Sequence, residues 1–360
     1  MHRGPDRRSA QVCQGDGARA KGRDRSWPAR MKKKMESFAM TKLTIGWVGM
    51  GRMGYPMAER LVKAGYDVKI WNRTRSKAEP LAAAGATLVD SPKDLAGVDV
   101  FCTMVSTGAD VEQVYFGENG VLSGETSPGI LVDWSSISVD QSADLRERVN
   151  ARGSEFMCSP VSGNGKCVKS GKLSAVVSGP ADVFSKVEDI IGTVAANGVS
   201  YVGEGELARF CKIAHNVFLG VVTQNLVEIT VLAEKAGVPR TAFLDFMNNS
   251  VMGSIFTRYK TNALINLDWT TTFTPELLRK DLDLGLAAGR KLDVPMPVTA
   301  TTREALQAHF GMAHLKDDPD AYLAKDFAAI LETVAQHAGL ELKSEETPYP
   351  TGLEVAEAAE

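Results

Sequence analysis

Residues 43 to 74 constrain this chain more than any other stretch. A short apolar run, Leu43-Thr44-Ile45-Gly46-Trp47-Val48, feeds the turn Gly49-Met50-Gly51-Arg52-Met53-Gly54. A helical stretch follows, and a second apolar run, Val68-Lys69-Ile70-Trp71, ends in Asn72-Arg73-Thr74. Strand, glycine-rich turn, helix and strand in that order form the βαβ unit of a dinucleotide site. Gly49 suits the tight turn, Gly51 lets backbone approach a pyrophosphate, and Gly54 lets the helix pack closely on its strand. The helix N-terminus offers free N–H groups and a positive dipole end to phosphates.

The end of the second strand selects the cofactor. An acidic residue there would hydrogen-bond a ribose 2′-hydroxyl and repel a 2′-phosphate. This chain instead carries neutral Asn72, then Arg73, Thr74 and Arg75. Guanidinium groups pair with phosphate in bidentate fashion. The expectation is therefore NADP, with NADPH preferred over NADH. The cofactor-binding candidates are Gly49, Met50, Gly51, Arg52, Met53, Gly54, Asn72, Arg73 and Thr74, with Met104 and Val105 at the end of a later strand.

With 360 residues the chain can form two domains, each with its own core. Strands alternate with helices as far as residue 204, which implies an α/β fold with a largely parallel, doubly wound sheet covered on both faces. The strand segments are 87–89, 98–105, 129–133, 155–158, 174–178 and 199–202. Helices are expected at 76–84, at 138–152 with Ser138 as N-cap, and at 181–191. From residue 205 no strand signal remains. A long apolar helix over 206–236 ends at Gly237-Val238-Pro239. Helical stretches follow at 240–249, 253–261, 275–291, 298–313 and 320–337. The expected division is a basic disordered extension over 1–40, a Rossmann domain over 41–204, an all-helical domain over 205–345 and a loose tail over 346–360.

Charge is unevenly placed. Residues 1–40 carry 11 Lys/Arg against 4 Asp/Glu, and the remainder is acidic. The body gives no reason to expect nucleic-acid binding. The head lacks an apolar core and is no secretory signal, and Asp6, Asp16 and Asp24 argue against a transit peptide. Met31, Met35 and Met40 offer alternative translation starts. Cys13, Cys102, Cys158, Cys167 and Cys211 have no metal spacing and read as reduced thiols of a cytoplasmic protein. No uninterrupted run of 18 apolar residues is present to span a membrane.

The long helix carries Lys212-Ile213-Ala214-His215-Asn216. Lys212 and Asn216, four apart, share one face. A lysine on a greasy helix is costly unless paired or functional, and desolvation lowers its pKa toward the working range of a proton donor. His215 is a minor candidate on another face. Pro160-Val161-Ser162-Gly163-Asn164-Gly165 forms a glycine-rich loop whose N–H groups and Ser162 hydroxyl can cradle a carboxylate. Asp133-Trp134-Ser135-Ser136 ends another strand on the ligand edge of the sheet.

Taken together, these segments resemble the β-hydroxyacid dehydrogenase family, which includes 3-hydroxyisobutyrate dehydrogenase and the glyoxylate, succinic semialdehyde and tartronate semialdehyde reductases. The resemblance spans about residues 43 to 337. It rests on Gly49 to Gly54, Asp133 to Ser136, Pro160 to Gly163, Lys212 with Asn216, and Lys280-Asp281. It implies that Lys212 is the catalytic acid/base and that Asn216 holds substrate or lysine. Ser162 and Gly163, with Asn164 beside them, would bind the substrate carboxylate. Ser136 would touch the nicotinamide end of the cofactor, and Lys280 would close over it. The implied activity is hydride transfer between NADPH and a small carboxylated aldehyde or ketone, in a homodimer or homotetramer built through the helical domain.

Two departures bear on the substrate. Asn164 stands where the family often has a second glycine, and a proline common after the Ser-Ser/Thr segment is missing. Imine reductases share the scaffold but usually lack the Lys-x-x-x-Asn pair. 6-Phosphogluconate dehydrogenase has a similar Lys-x-x-His-Asn run but a much longer helical domain. A non-catalytic NADP-binding protein anchored by the basic head is a third alternative.

Overall fold

The computed structural model describes residues 43–354, so the basic extension and the last six residues lie outside the described residues. The first half is built on a six-stranded parallel sheet in the order β3-β2-β1-β4-β5-β6. Its strands are β1 (Ile45–Val48), β2 (Val68–Trp71), β3 (Thr87–Leu88), β4 (Val100–Thr103), β5 (Ile130–Asp133) and β6 (Glu155–Cys158). This is a doubly wound order, reversing between β1 and β4. Every residue of β1 and β4 is buried, as expected for strands covered on both faces. One face packs Trp47, Met57, Leu61 and Ile70; the other packs Phe101, Tyr115, Leu131 and Phe156.

Helices α1 (Gly54–Lys63), α2 (Glu79–Ala83), α3 (Gly108–Phe116) and α4 (Val139–Asn150) connect these strands. Ser138 caps α4 as expected, accepting from the Gln141 N–H. Helix α3 is absent from the sequence reading. Its signal is the capping box of Thr107 and Asp110, masked by a glycine at the first helical position.

The sequence reading of one continuous sheet needs correction. After β6 the chain enters a second, three-stranded sheet: β7 (Val161–Ser162), β8 (Ser174–Val177) and β9 (Gly198–Tyr201). Strand β7 runs antiparallel to β8, and β8 runs parallel to β9. Only Ser159 and Pro160 separate β6 from β7, far too few residues for the crossover that a parallel neighbour requires. A Cys158–Ser178 bridge joins the two sheets. Helices α5 (Gly165–Lys169) and α6 (Ala181–Val194) complete this region.

Helix α7 (Leu207–Lys235) then runs 29 residues, or about 43 Å at 1.5 Å per residue. It is long and apolar enough to cross a membrane by length and composition. Here it runs through the helical lobe, against α10 (Pro275–Lys291), α11 (Pro297–Ala313) and α13 (Ile330–His337). The lobe also contains α8 (Arg240–Asn249), α9 (Ile255–Asn266) and α12 (Pro319–Leu323). The helix expected over 320–337 is broken between α12 and α13, where the buried Asp326 carboxylate accepts from the Ala328 N–H, Thr272 and the Lys260 ammonium.

Two glycines set the spacing of α7 and α10. A Cβ on Gly220 would meet Leu282 at 2.9 Å, and one on Gly285 would meet Val217 at 2.1 Å. Part of the expected loose tail lies along this lobe. Within that tail the Tyr349 hydroxyl donates to Asp245, and just before it Glu345 accepts from the Arg240 and Thr241 N–H groups at the start of α8.

Arg209, in the first turn of α7, fastens the helix to the sheet. Its guanidinium donates to Asp133 at 2.5 Å, to the Ser135 carbonyl and to the Ser142 hydroxyl at 3.2 Å. Arg209 is 1% exposed and Asp133 0%. Arg209→Met leaves Asp133 buried and unpaired, so it should cost about 3–5 kcal/mol in urea unfolding. Adding Asp133→Asn should recover part of that loss. A single-variant loss below about 1 kcal/mol would contradict the assignment of this pair as the tie between helix and sheet.

Candidate active site

The crevice lies where the sheet order reverses, at the C-terminal ends of β1 and β4. Gly49 adopts φ +100°, and a Cβ there would sit 2.1 Å from the Met104 carbonyl oxygen. A Cβ on Gly54 would sit 1.9 Å from the Gly49 carbonyl oxygen, so the helix start can close on the turn only as glycine. Gly51 is exposed, with no described atom within 4 Å of a Cβ built there. The turn thus has two glycines dictated by packing and one facing open space at the start of α1. That arrangement fits a pyrophosphate.

Asn72 braces this turn. Its side-chain oxygen accepts from the Met50 N–H at 2.9 Å, and its amide donates to the Thr74 carbonyl at 2.8 Å. Met50 is buried in the core and Met53 packs against it, so their side chains support the turn from behind. Arg52 donates to the Thr271 carbonyl of the helical lobe at 3.3 Å. Arg73 is 86% exposed, 3.4 Å from Asp110, and Arg75 pairs with Asp90 at 2.9 Å. Thr74 is exposed. Beyond β4, the Val105 N–H donates to the Ser135 hydroxyl at 3.0 Å, which joins the Met104-Val105 segment to the Ser135-Ser136 segment.

A small cavity of about 10 Å³ lies beside this edge. Ser136, Ile137 and Pro160 line it from the sheet side, and Arg209, Lys212, Asn216 and Asp281 from the helices. Lys212 is half-buried, and its ammonium makes no hydrogen bond or ion pair with a described residue. Burial pushes its ammonium down to about 8; Asp281 pulls the other way and Lys280 adds to the lowering. The Asn216 amide donates to Asp281 at 2.6 Å, and both residues are 5% exposed. Lys280 lies 3.4 Å from the other Asp281 oxygen.

His215 links this helix to the glycine-rich loop at 160–165. One ring nitrogen lies 2.9 Å from the Asn216 oxygen, and the other lies 2.8 Å from the Ser162 hydroxyl. Gly163 has φ +130°, and a Cβ there would meet Cys167 at 2.8 Å. Asn164 is engaged elsewhere: its side-chain oxygen accepts from the Lys166 and Cys167 N–H groups and caps α5. The replacement of a second glycine by asparagine thus gives the loop a short helix with its own cap.

The structure therefore brings Lys212, Asn216 and Ser136 around one cavity, with Ser162 joined through His215. The role of Asp281, Arg209 and the linking role of His215 are what sequence reasoning missed. Arg209 stands three residues before Lys212 and so shares its face. Nothing in a helix that is apolar nearly all round marks this arginine as buried and paired. A larger depression between Lys316, Tyr322 and Glu332 shares no lining residue with this cavity and has none of the dinucleotide features. The arrangement can do acid–base work at one ammonium, beside a shelf fit for a dinucleotide and a loop fit for an anion.

Comparison with known proteins agrees with this fold. Residues 44–203 match the NAD binding domain of 6-phosphogluconate dehydrogenase, and residues 207–333 match the NAD-binding domain of NADP-dependent 3-hydroxyisobutyrate dehydrogenase. The chain is 30% identical over 265 residues to a probable 3-hydroxyisobutyrate dehydrogenase-like 3, mitochondrial, of Arabidopsis thaliana, covering 73% of this chain and 81% of that one. It is 27% identical over 295 residues to glyoxylate/succinic semialdehyde reductase 2, chloroplastic, of the same plant, covering 81% and 79%. A 3-hydroxyisobutyrate dehydrogenase from Salmonella typhimurium shares the fold with a TM-score of 0.70 at 23% identity, covering 81% of this chain and 99% of that one. With its doubly wound sheet, its helical lobe and a lysine in the crevice between them, the chain belongs to the β-hydroxyacid dehydrogenase family of NAD(P)-dependent oxidoreductases.

Proposed function

We propose that the protein is an NADPH-dependent reductase of a small carboxylated aldehyde or ketone, reversible as a 3-hydroxyacid dehydrogenase. The observation that carries the reading is the Lys212 ammonium, untied in a small cavity between sheet edge and helical lobe. NADPH supplies the hydride when bound. Lys212 protonates the carbonyl oxygen as that hydride arrives, and in the reverse direction it takes the proton back. With its pKa near 8, both protonation states are populated near neutral pH, which suits both directions. Asn216, fixed by Asp281, orients the oxygen or the ammonium. Ser162 and the Gly163 N–H hold the carboxylate.

The preference for NADPH rests on Arg73 and Arg75, which face solvent with the half-buried Asp110 and the exposed Asp90 as partners. A 2′-phosphate would take these guanidinium groups from Asp110 and Asp90. Cys102, Cys158, Cys167 and Cys211 are free thiols, which suits a reducing compartment such as the cytoplasm. Leu207, Phe218 and Leu232 of α7 are 48%, 68% and 69% exposed. That apolar face supports a homodimer or homotetramer formed through the helical lobe.

Lys212→Ala should cut turnover with glyoxylate or succinic semialdehyde by about 10²–10⁴-fold while leaving NADPH affinity intact. Retention of most turnover would refute the lysine's role. In the wild-type enzyme, kcat for reduction should fall as pH rises through about 8, and kcat for oxidation should rise over the same range. A charged hydrogen bond is worth about 1.5–3 kcal/mol, so Arg73→Ala should weaken NADPH binding by roughly tenfold or more and leave NADH nearly unchanged. Equal loss for both cofactors would contradict the phosphate assignment.

A further inference from the structure

His215 joins the substrate loop to the catalytic helix, and the proposed chemistry leaves that link unused. Its protonation state follows from its neighbours. The Asp281 carboxylate accepts the Asn216 amide, so the Asn216 oxygen faces His215. That oxygen can only accept, which places a proton on the ring nitrogen facing it. In neutral His215 the second nitrogen is then an acceptor, and the Ser162 hydroxyl donates to it. Ser162 has one proton to give. While His215 is neutral, that proton is committed to the ring, and the hydroxyl presents only lone pairs to an arriving carboxylate.

Protonating the ring reverses this. An imidazolium donates from both nitrogens, so it donates to the Ser162 oxygen and frees the Ser162 proton to turn outward. The proton comes from solvent and stays on the ring nitrogen facing Ser162; no other bond changes. We infer that His215 is a positioning residue that gates the carboxylate site through Ser162, so that binding of a carboxylated substrate takes up one proton. This inference rests on the proposed role of Ser162 in holding the substrate carboxylate.

The groups around the ring make it a usable gate. Lys212 lies on its own helix, and Asp281 and Lys280 lie on α10. In the free enzyme, burial and the Lys212 charge push the imidazole below its usual 6.5, while Asn216 and Asp281 oppose that shift. A carboxylate on Ser162 favours the charged ring and raises its pKa. Between the free and bound values, affinity falls as pH rises, by at most tenfold per unit. The free-enzyme end of that window lies below the range in which Lys212 titrates.

The test is the pH dependence of KM for glyoxylate, set against glycolaldehyde, which lacks the carboxylate, over pH 5 to 7.5 with NADPH saturating. KM for glyoxylate should rise several-fold across that range, and KM for glycolaldehyde should stay flat. His215→Gln places an amide where the ring nitrogen stood, and that amide can donate to Ser162 at every pH. Its KM for glyoxylate should lose the slope. A flat wild-type profile with glyoxylate would overturn the inference, as would a His215→Gln enzyme that keeps the slope. An enzyme that turns over no carboxylated aldehyde or keto acid at any pH overturns the parent reading, and the gate with it. That result is distinct from a flat profile in an active enzyme.

Discussion

The site depends on how the first turn of α7 is held against the sheet. Arg209 reaches Asp133 at the end of β5, the Ser135 carbonyl just beyond it and Ser142 on α4. One helical turn later, Lys212 projects from the same face into the cavity that Ser136 lines from the opposite side. A buried ion pair is weak evidence of stability, because desolvation offsets much of its Coulomb attraction. Its directional value is greater. The guanidinium binds the segments on either side of the crevice, since Ser135 also accepts from the Val105 N–H. Lys212 and the glycine-rich turn are thereby held in one frame.

A second constraint comes from α10. Gly220 and Gly285 let α7 and α10 approach closely enough for Asp281 to reach Asn216. Asp281 then does two things. It fixes the Asn216 amide, which in turn sets which His215 nitrogen carries a proton, and it pulls the Lys212 ammonium upward against burial. Without that carboxylate, desolvation would act on Lys212 unopposed and reinforced by the like charge of Lys280. The late helix therefore supplies the counter-charge of the site.

The legible parts of the chain were those written in local patterns. The glycine spacing at 49–54 survives in the sequence because each packed glycine answers to an atom a few residues away or to the neighbouring strand. Lys212 and Asn216 were legible because helical periodicity puts them on one face before any tertiary contact is known. The second sheet was not, because β7 is set by the shortness of the Ser159-Pro160 connection rather than by its two residues. Arg209, His215 and Glu345 were not, because each works through a partner dozens of residues away or through a tautomer that only the three-dimensional network fixes. Asn164 shows the opposite case: a visible departure from the family pattern whose meaning, a helix cap, needed the fold.

The central claim is that Lys212 carries an ammonium destabilised by its surroundings enough to exchange its proton at working pH. The most direct measurement is an NMR titration of the enzyme labelled with ¹³C at lysine Cε, with Lys212→Arg assigning the resonance. The account predicts a lysine titrating near 8 that vanishes in the variant. A Lys212 resonance that titrates at the ordinary 10.5, alongside the surface lysines, would contradict it.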